Sequence, residues 1–319
     1  MVEIREYCGW KYKHDGRTGY YDIEPGIRKE QPRGFFKYYA LTENAVDALT
    51  NVYLYASHPS QLNDPFDCNK NLVEFNSMAS VKILWRDLFL NLVLQIGDDF
   101  EVLRHYTQEA YMNVLYQKTG IISLTTSNKC MQMWSYYANH NGFCVELDVE
   151  KLGFDYNGPF PIHYTNDMKP FDIEVYGGPL SMLIQSNVKS EFWKYEEEWR
   201  LLALPPAGRD LVGVGENEEQ FSFPDSHNRK FAYSLFALKS VTLGIRFFDG
   251  KSYALSDREY EIVYRGMDQL DFQIVNFLSN PKLSHIDVYL AIPKNLFEID
   301  TKKVSICKIN EYKFRLLVI

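Results

Sequence analysis

The sequence predicts an α+β protein whose core is a mixed, mainly antiparallel sheet, with helices packed around it and one helical insertion. Three observations carry this expectation. Short extended segments recur from residue 35 to the C-terminus. One long stretch, residues 77–118, is helical throughout, with Val81, Leu84, Leu88 and Leu92 at spacings of three and four. No internal repeat, low-complexity tract or composition break divides the 319 residues, so one elaborated domain over 1–319 is the economical organisation.

The elements follow in order. Residues 1–34, rich in Tyr, Gly and charge, with Pro25-Gly26 and Pro32, are expected to form an irregular N-terminal arm. Phe35 to Ala40 is the first strand. Thr42 then caps a short helix that Asn51 ends, and Val52 to Ser57 is a second strand. The segment P-S-Q-L-N-D-P-F-D, residues 59–67, is a turn-rich loop in which Asn63 and Asp64 can bond neighbouring backbone. Within the helical insertion Gly97 separates two helices, and Gly120 closes it. Residues 121–127 form a strand, and a short helix carrying M-Q-M-W-S-Y-Y-A follows until Gly142. Strands are expected at 143–148 and 160–164, a helix at 179–188, and a long loop at 205–230. Ser240 to Phe247 is strand-like, Ser256 and Glu259 form a capping box opening a helix to about Leu278, and 286–292 and 312–319 add strands.

Composition bounds the function. The formal net charge of −8 argues against holding nucleic acid by bulk electrostatics, because phosphate contact needs a basic footprint. Aromatic residues at 15% supply core volume and also stacking faces for a flat ring. Five scattered cysteines without a C-x-x-C pair indicate neither a zinc knuckle nor a disulfide framework, which points to a reducing cytoplasm. No signal-peptide pattern opens the chain and no run of about 18 apolar residues occurs, so no membrane partner is expected.

The chemistry-bearing stretch is K-Y-E-E-E-W-R-L-L-A-L, residues 194–204. In an extended chain Glu196, Glu198 and Arg200 share one face, while Glu197, Trp199 and Leu201 share the other. Two roles fit: Arg200 pairing with the acids in a buried polar layer, or carboxylates lining a cleft. Ser123, Thr125 and Ser127 fall on one face of their strand and suit a polar ligand, although Ser and Thr are ordinary on a half-exposed strand. In the next helix Met131, Trp134 and Tyr137 or Ala138 take core spacing. The seven histidines show no paired ligand spacing, so no metal is expected. Asp64 and Asp67 with Glu196 or Glu198 are the one set of oxygens suited to a divalent ion, as in a metal-dependent nuclease.

Four motifs carry a resemblance: Phe36-Lys37-Tyr38, A-S-H-P-S-Q-L-N-D-P-F-D, I-S-L-T-T-S-N with M-W-S-Y-Y-A-N-H-N-G-F-C-V-E-L-D, and W-K-Y-E-E-E-W-R-L. In order and spacing, from about residue 35 onward, they look like the bacterial family catalogued as domain of unknown function 2971. Tyr39 stands where such sequences usually carry Arg. The same order is similar, more distantly, to the ADP-ribosyltransferase fold. That resemblance implies NAD as substrate, held by Lys37 and Tyr38 and by Ser123, Thr125 and Ser127; Asn63, Asp64, Trp134 and Arg200 are further candidate substrate-binding residues. Glu198, with Glu196, would be the catalytic carboxylate stabilising the cationic ribose formed as the nicotinamide bond breaks. Pyrophosphate binding would fall to Lys37 or Arg33. The implied protein is a cytoplasmic effector of bacterial defence or toxin biology that transfers or releases ADP-ribose, with its protein or nucleic-acid target unspecified. A non-catalytic nucleotide- or protein-binding module using the same cleft is the alternative.

Overall fold

The computed structural model describes residues 1–26, 30–88, 99–115, 120–204 and 229–319. The expected irregular arm is instead a three-stranded antiparallel meander, β1 (Val2–Tyr7), β2 (Trp10–Asp15) and β3 (Tyr20–Glu24). Cys8 and Gly9 both take positive φ and close a two-residue hairpin between Tyr7 and Trp10. Tyr7, Tyr12 and Ile23 are the few side chains it buries. Its charged outer positions conceal the alternation in the sequence.

β4 (Phe35–Tyr39) and the helix Glu43–Thr50 follow as expected, the latter capped by Thr42, whose hydroxyl accepts from the Ala45 N–H at 3.3 Å. β5 (Tyr53–Tyr55) and β6 (Val73–Glu74) are short. The helical stretch contains helices Met78–Leu88 and Phe100–Leu115, and the break assigned to Gly97 lies outside the described residues. After β7 (Gly120–Thr125) come the helix Met131–Tyr136, β8 (Phe143–Leu147), β9 (Tyr156–Pro161), β10 (His163–Tyr164) and β11 (Phe171–Asp172). The helix Ile173–Asn187 breaks at Gly177, with φ +73°, and restarts by Pro179, whose missing N–H costs nothing in a first turn.

β12 (Val188–Lys189) and β13 (Glu198–Ala203) complete the first half; most of the loop expected at 205–230 lies outside the described residues. β14 (Lys230–Ala232), β15 (Leu238–Leu243), β16 (Ser252–Ala254), β17 (Glu259–Val263), β18 (Asp287–Pro293), β19 (Ile299–Lys308) and β20 (Lys313–Val318) follow. The capping-box helix opening at Ser256 is overturned. Leu255 and Ser256 donate to the Glu259 carbonyl as a hairpin turn, and β17 pairs along β20 from Glu259–Leu317 to Val263–Lys313. Only residues Leu270–Leu278 are helical there, because sheet pairing outweighs a local cap.

Eleven strands form one sheet in the order β16-β17-β20-β19-β18-β15-β8-β4-β7-β13-β9. Within it β15 and β18 run parallel and the other described pairs run antiparallel. Alternation on β7 and β13 feeds two cores. Ile122, Leu124, Trp199 and Leu201 pack with the helices Glu43–Thr50 and Leu270–Leu278. Ile121 and Leu202 pack with the meander and the helix Ile173–Asn187. β4 and β7 are joined through one register pair, Phe36 opposite Thr125, and the cavity described below is lined by both strands.

Tight backbone crossings hold the sheet to its turns. A β-carbon on Gly142 would lie 2.0 Å from the Tyr39 carbonyl oxygen and 2.9 Å from that of Ala138. Gly142→Ala is therefore expected to cost more than about 2 kcal/mol in denaturant unfolding. Gly178→Ala, where a β-carbon meets nothing within 4 Å, should change stability by less than about 1 kcal/mol.

Candidate functional site

The residues Asp67, Lys189, Glu196, Glu198 and Arg200 are each no more than 5% exposed, and they meet in one cluster. Charges buried this deeply are stable only when paired and hydrogen-bonded. Arg200 meets that condition with all of its donors. Its Nε and one terminal nitrogen reach the Glu198 oxygens at 2.7 and 3.2 Å, the two terminal nitrogens reach Asp67 at 2.9 and 2.5 Å, and one also donates to the Ser186 carbonyl at 2.7 Å. One planar guanidinium thus holds two carboxylates in bidentate fashion, a geometry Lys cannot supply.

Lys189, on β12 directly after the helix Ile173–Asn187, fills the space between the acids. Its Nζ lies 2.6 Å from Glu196, 3.0 Å from Glu198 and 3.6 Å from Asp67, and 5.0 Å above the Trp193 ring. Burial opposes its charge, but Glu198 and its neighbours hold the ammonium well above its ordinary pKa.

The three consecutive glutamates take three environments. Glu196 ends a 3-10 turn, Glu191–Glu196, rather than lying on a strand, so its place beside Glu198 is not the strand alternation expected. Glu197 takes φ 44° and swings the chain into β13, leaving its own carboxylate exposed to accept from the Thr126 hydroxyl at 2.5 Å. Glu198 opens β13 opposite Thr125, and Arg200 lies opposite Ser123. Burial pushes the Glu198 carboxyl up, but Arg200 and then Lys189 outweigh it and hold it at about 2. Glu196 is shifted the other way: burial outweighs Lys189, and the Glu198 charge adds to the rise.

A cavity of about 250 Å³ opens over this cluster. The structure places Lys37, Tyr38, Asn63, Ser123, Thr125, Glu196 and Glu198 on its wall, together with Asp67, Lys189, Gln61 and Tyr137. Tyr137 donates to Glu196 and accepts from Asn63 at 3.0 Å. Thr125 donates to the Glu196 carbonyl at 2.6 Å, so it anchors the turn as well as facing the cavity. Lys37 is half-buried and donates to the Ser123 carbonyl at 3.1 Å; burial brings its pKa down to about 8, against the pull of Glu198.

Four expected ligand-binding residues lie elsewhere. Trp134 is fully buried, edge-on to Tyr38, with its indole N–H on the Asn128 carbonyl, so it is a core residue. Ser127 accepts from the Lys129 N–H and offers its carbonyl to Tyr38 beyond the end of β7. Asp64 caps its own loop through the Phe66 N–H and borders a separate groove. Arg200 lies behind the cavity wall, its donors spent on protein acceptors. Asp67 does join Glu196 and Glu198, as the nuclease option required, but Arg200 and Lys189 occupy the positions between those carboxylates. Among the described residues no group of three or more His, Cys, Asp or Glu is arranged to hold a metal. Lys189 carries no motif signal, while Tyr137 was visible only as a helix-spaced aromatic.

No family model, no curated protein and no solved structure matches this chain. Among the described residues no helix is long and apolar enough to cross a membrane.

Truncating Arg200 leaves Asp67 and Glu198 buried without their partner, so Arg200→Met should lose about 3–5 kcal/mol of unfolding free energy. Lys129→Met, which removes an exposed pair with Asp300, should lose less than about 1 kcal/mol. The pH dependence has a definite sign. The folded Glu198 pKa, about 2, lies below its ordinary value of 4.5, so its contribution is complete above 4.5 and is lost as pH falls toward 2. Glu196, shifted upward, acts with the opposite sign. Glu196→Gln should therefore remove the gain in stability that accompanies the fall in pH toward about 4.5, while the Glu198-dependent loss below about 4.5 persists, in urea titrations.

Proposed function

We propose that this cavity binds a nucleotide and performs ADP-ribosyl chemistry on NAD, with Glu198 as the carboxylate that stabilises the ribosyl cation. The observation that supports the reading most is the adjacency of three strands: β4 with Lys37 and Tyr38, β7 with Ser123 and Thr125, and β13 with Glu198. These are the three motif positions that a likeness to ADP-ribosyltransferases requires around one cleft. Breaking the nicotinamide–ribose bond builds positive charge, and a fixed anion beside it lowers the barrier electrostatically. Glu198 suits this role because its ion pairs keep it ionised and rigid. Glu196, with its raised pKa and its bond from Tyr137, suits proton exchange with an acceptor or a water.

Phe36, Tyr38, Met133 and Tyr137 give the cavity aromatic and thioether faces for a flat ring. At about 250 Å³ it is smaller than most whole-cofactor pockets, so the reactive end of a dinucleotide enters and the remainder lies over the rim. Within this proposal the protein is a cytoplasmic effector in bacterial defence or toxin biology, related to domain of unknown function 2971. No metal takes part.

A second reading is favoured by one observation: each carboxylate on the cavity wall is already paired with Lys189 or Arg200. A module that senses a nucleotide without turnover would need no freer group. Calorimetric titration with NAD, run beside chromatographic detection of released nicotinamide, separates the two. Glu198→Gln should retain binding while nicotinamide release falls by about 10²-fold or more. Binding by the parent protein without any release establishes the module instead.

A further inference from the structure

Three basic side chains lie in or against the cavity, and one differs in kind. Arg200 spends its donors on Asp67, Glu198 and Ser186, and Lys189 contacts three carboxylates. Among the described residues Lys37 has one close acceptor, the Ser123 carbonyl oxygen, and its amine lies 5.7 Å from the Tyr39 ring. Its side chain is half-buried and lines the cavity. The same cavity is lined by a fixed anion, Glu198, and by a proton-carrying pair, Tyr137 and Glu196. An amine without a carboxylate clamp, a proton donor and an anion that favours a nearby cation are the groups that imine formation uses.

We propose that Lys37 is a covalent carbonyl-capturing residue that forms a Schiff base with small hydroxyaldehydes entering the cavity. The uncharged amine attacks the carbonyl carbon, the C=O π pair moves to oxygen, and the proton that the ammonium nitrogen loses is gained by that oxygen, which gives a neutral carbinolamine. The nitrogen lone pair then forms the C=N bond as the hydroxyl leaves with a proton supplied through Tyr137 and Glu196. The net reaction joins amine, aldehyde and one proton into an iminium ion and water. Glu198 stabilises that iminium charge.

Burial brings the Lys37 pKa down to about 8, so an appreciable fraction is neutral near physiological pH. The charged groups facing it from neighbouring elements are Glu198 on β13, with Glu196 and Asp67 opposed by Lys189 and Arg200. Glu198 stays ionised whether or not Glu196 carries its proton, and that fixed negative charge favours a neutral hydroxyaldehyde over an anionic α-oxo acid. This activity is independent of NAD turnover and uses no cofactor.

The test is reductive trapping on the full chain with glycolaldehyde and cyanoborohydride, followed by peptide mass mapping of every lysine. Lys37 should be labelled at least about tenfold faster than the exposed Lys302, in keeping with the larger neutral fraction that a lower pKa gives. The rate should rise toward a plateau through a midpoint near 8. Lys37→Arg, verified as folded by its melting curve, should lose this fast phase and keep the slow surface labelling. Labelling of Lys37 no faster than Lys302 in the parent protein overturns the proposal without recourse to any variant, as does a fast phase that survives Lys37→Arg. Faster capture of glyoxylate than of glycolaldehyde overturns the assignment of ligand class.

Discussion

The bidentate grip of Arg200 on both Asp67 and Glu198 is the constraint around which this half of the molecule is arranged. It joins the loop after β5 to β13 across 133 positions of sequence and fastens both to the end of the helix Ile173–Asn187 through the Ser186 carbonyl. A guanidinium that is 1% exposed has no water to fall back on, so each of its partners must be held in place by the fold. The cavity wall inherits that rigidity. Glu198 is ionised and fixed because Arg200 is fixed, and Lys189 can bridge three carboxylates because two of them already have an owner.

The same network separates two neighbouring glutamates chemically. Glu198 has both cations within hydrogen-bond reach and is driven down; Glu196 has Lys189 and a tyrosine hydroxyl, feels the negative charge of Glu198, and is driven up. A pair of carboxylates with opposed shifts in one cavity divides naturally into a permanent anion and a proton carrier. The left-handed conformation of Glu197 makes this possible, since it breaks the run of three acids so that adjacent residues do not share one environment. Lys37 completes the picture from the other side, where β4 and β7 meet through a single register pair.

The motifs singled out in the sequence are short segments separated by long stretches, and the structure brings residues of each to one cavity. Lys37, Ser123 and Glu198 come from three adjacent strands of one sheet. Adjacency of that kind is what supports the NAD reading. The full ion pairing of the acids is what supports a binding module, and both follow from one arrangement of charges.

Local pattern determined a good deal of this protein from sequence alone. Short extended runs placed β4, β7, β8 and β18, helical spacing placed the helices Met78–Leu88 and Phe100–Leu115, and Thr42 marked its helix start, because each of these signals is local in the chain. The opposed faces of Glu198-Arg200 and Trp199-Leu201 were legible for the same reason. Tertiary structure decided the rest. Residues 1–24 became a meander because a few buried tyrosines found a core to cover, and Ser256–Glu259 became a hairpin because β20 was there to pair with it. Trp134 went to the core and Asp64 to its loop, while Asp67 and Lys189 entered the cluster. Sequence carries the need of a buried charge for a partner, but the identity of that partner is set only when distant strands are brought within a few ångströms.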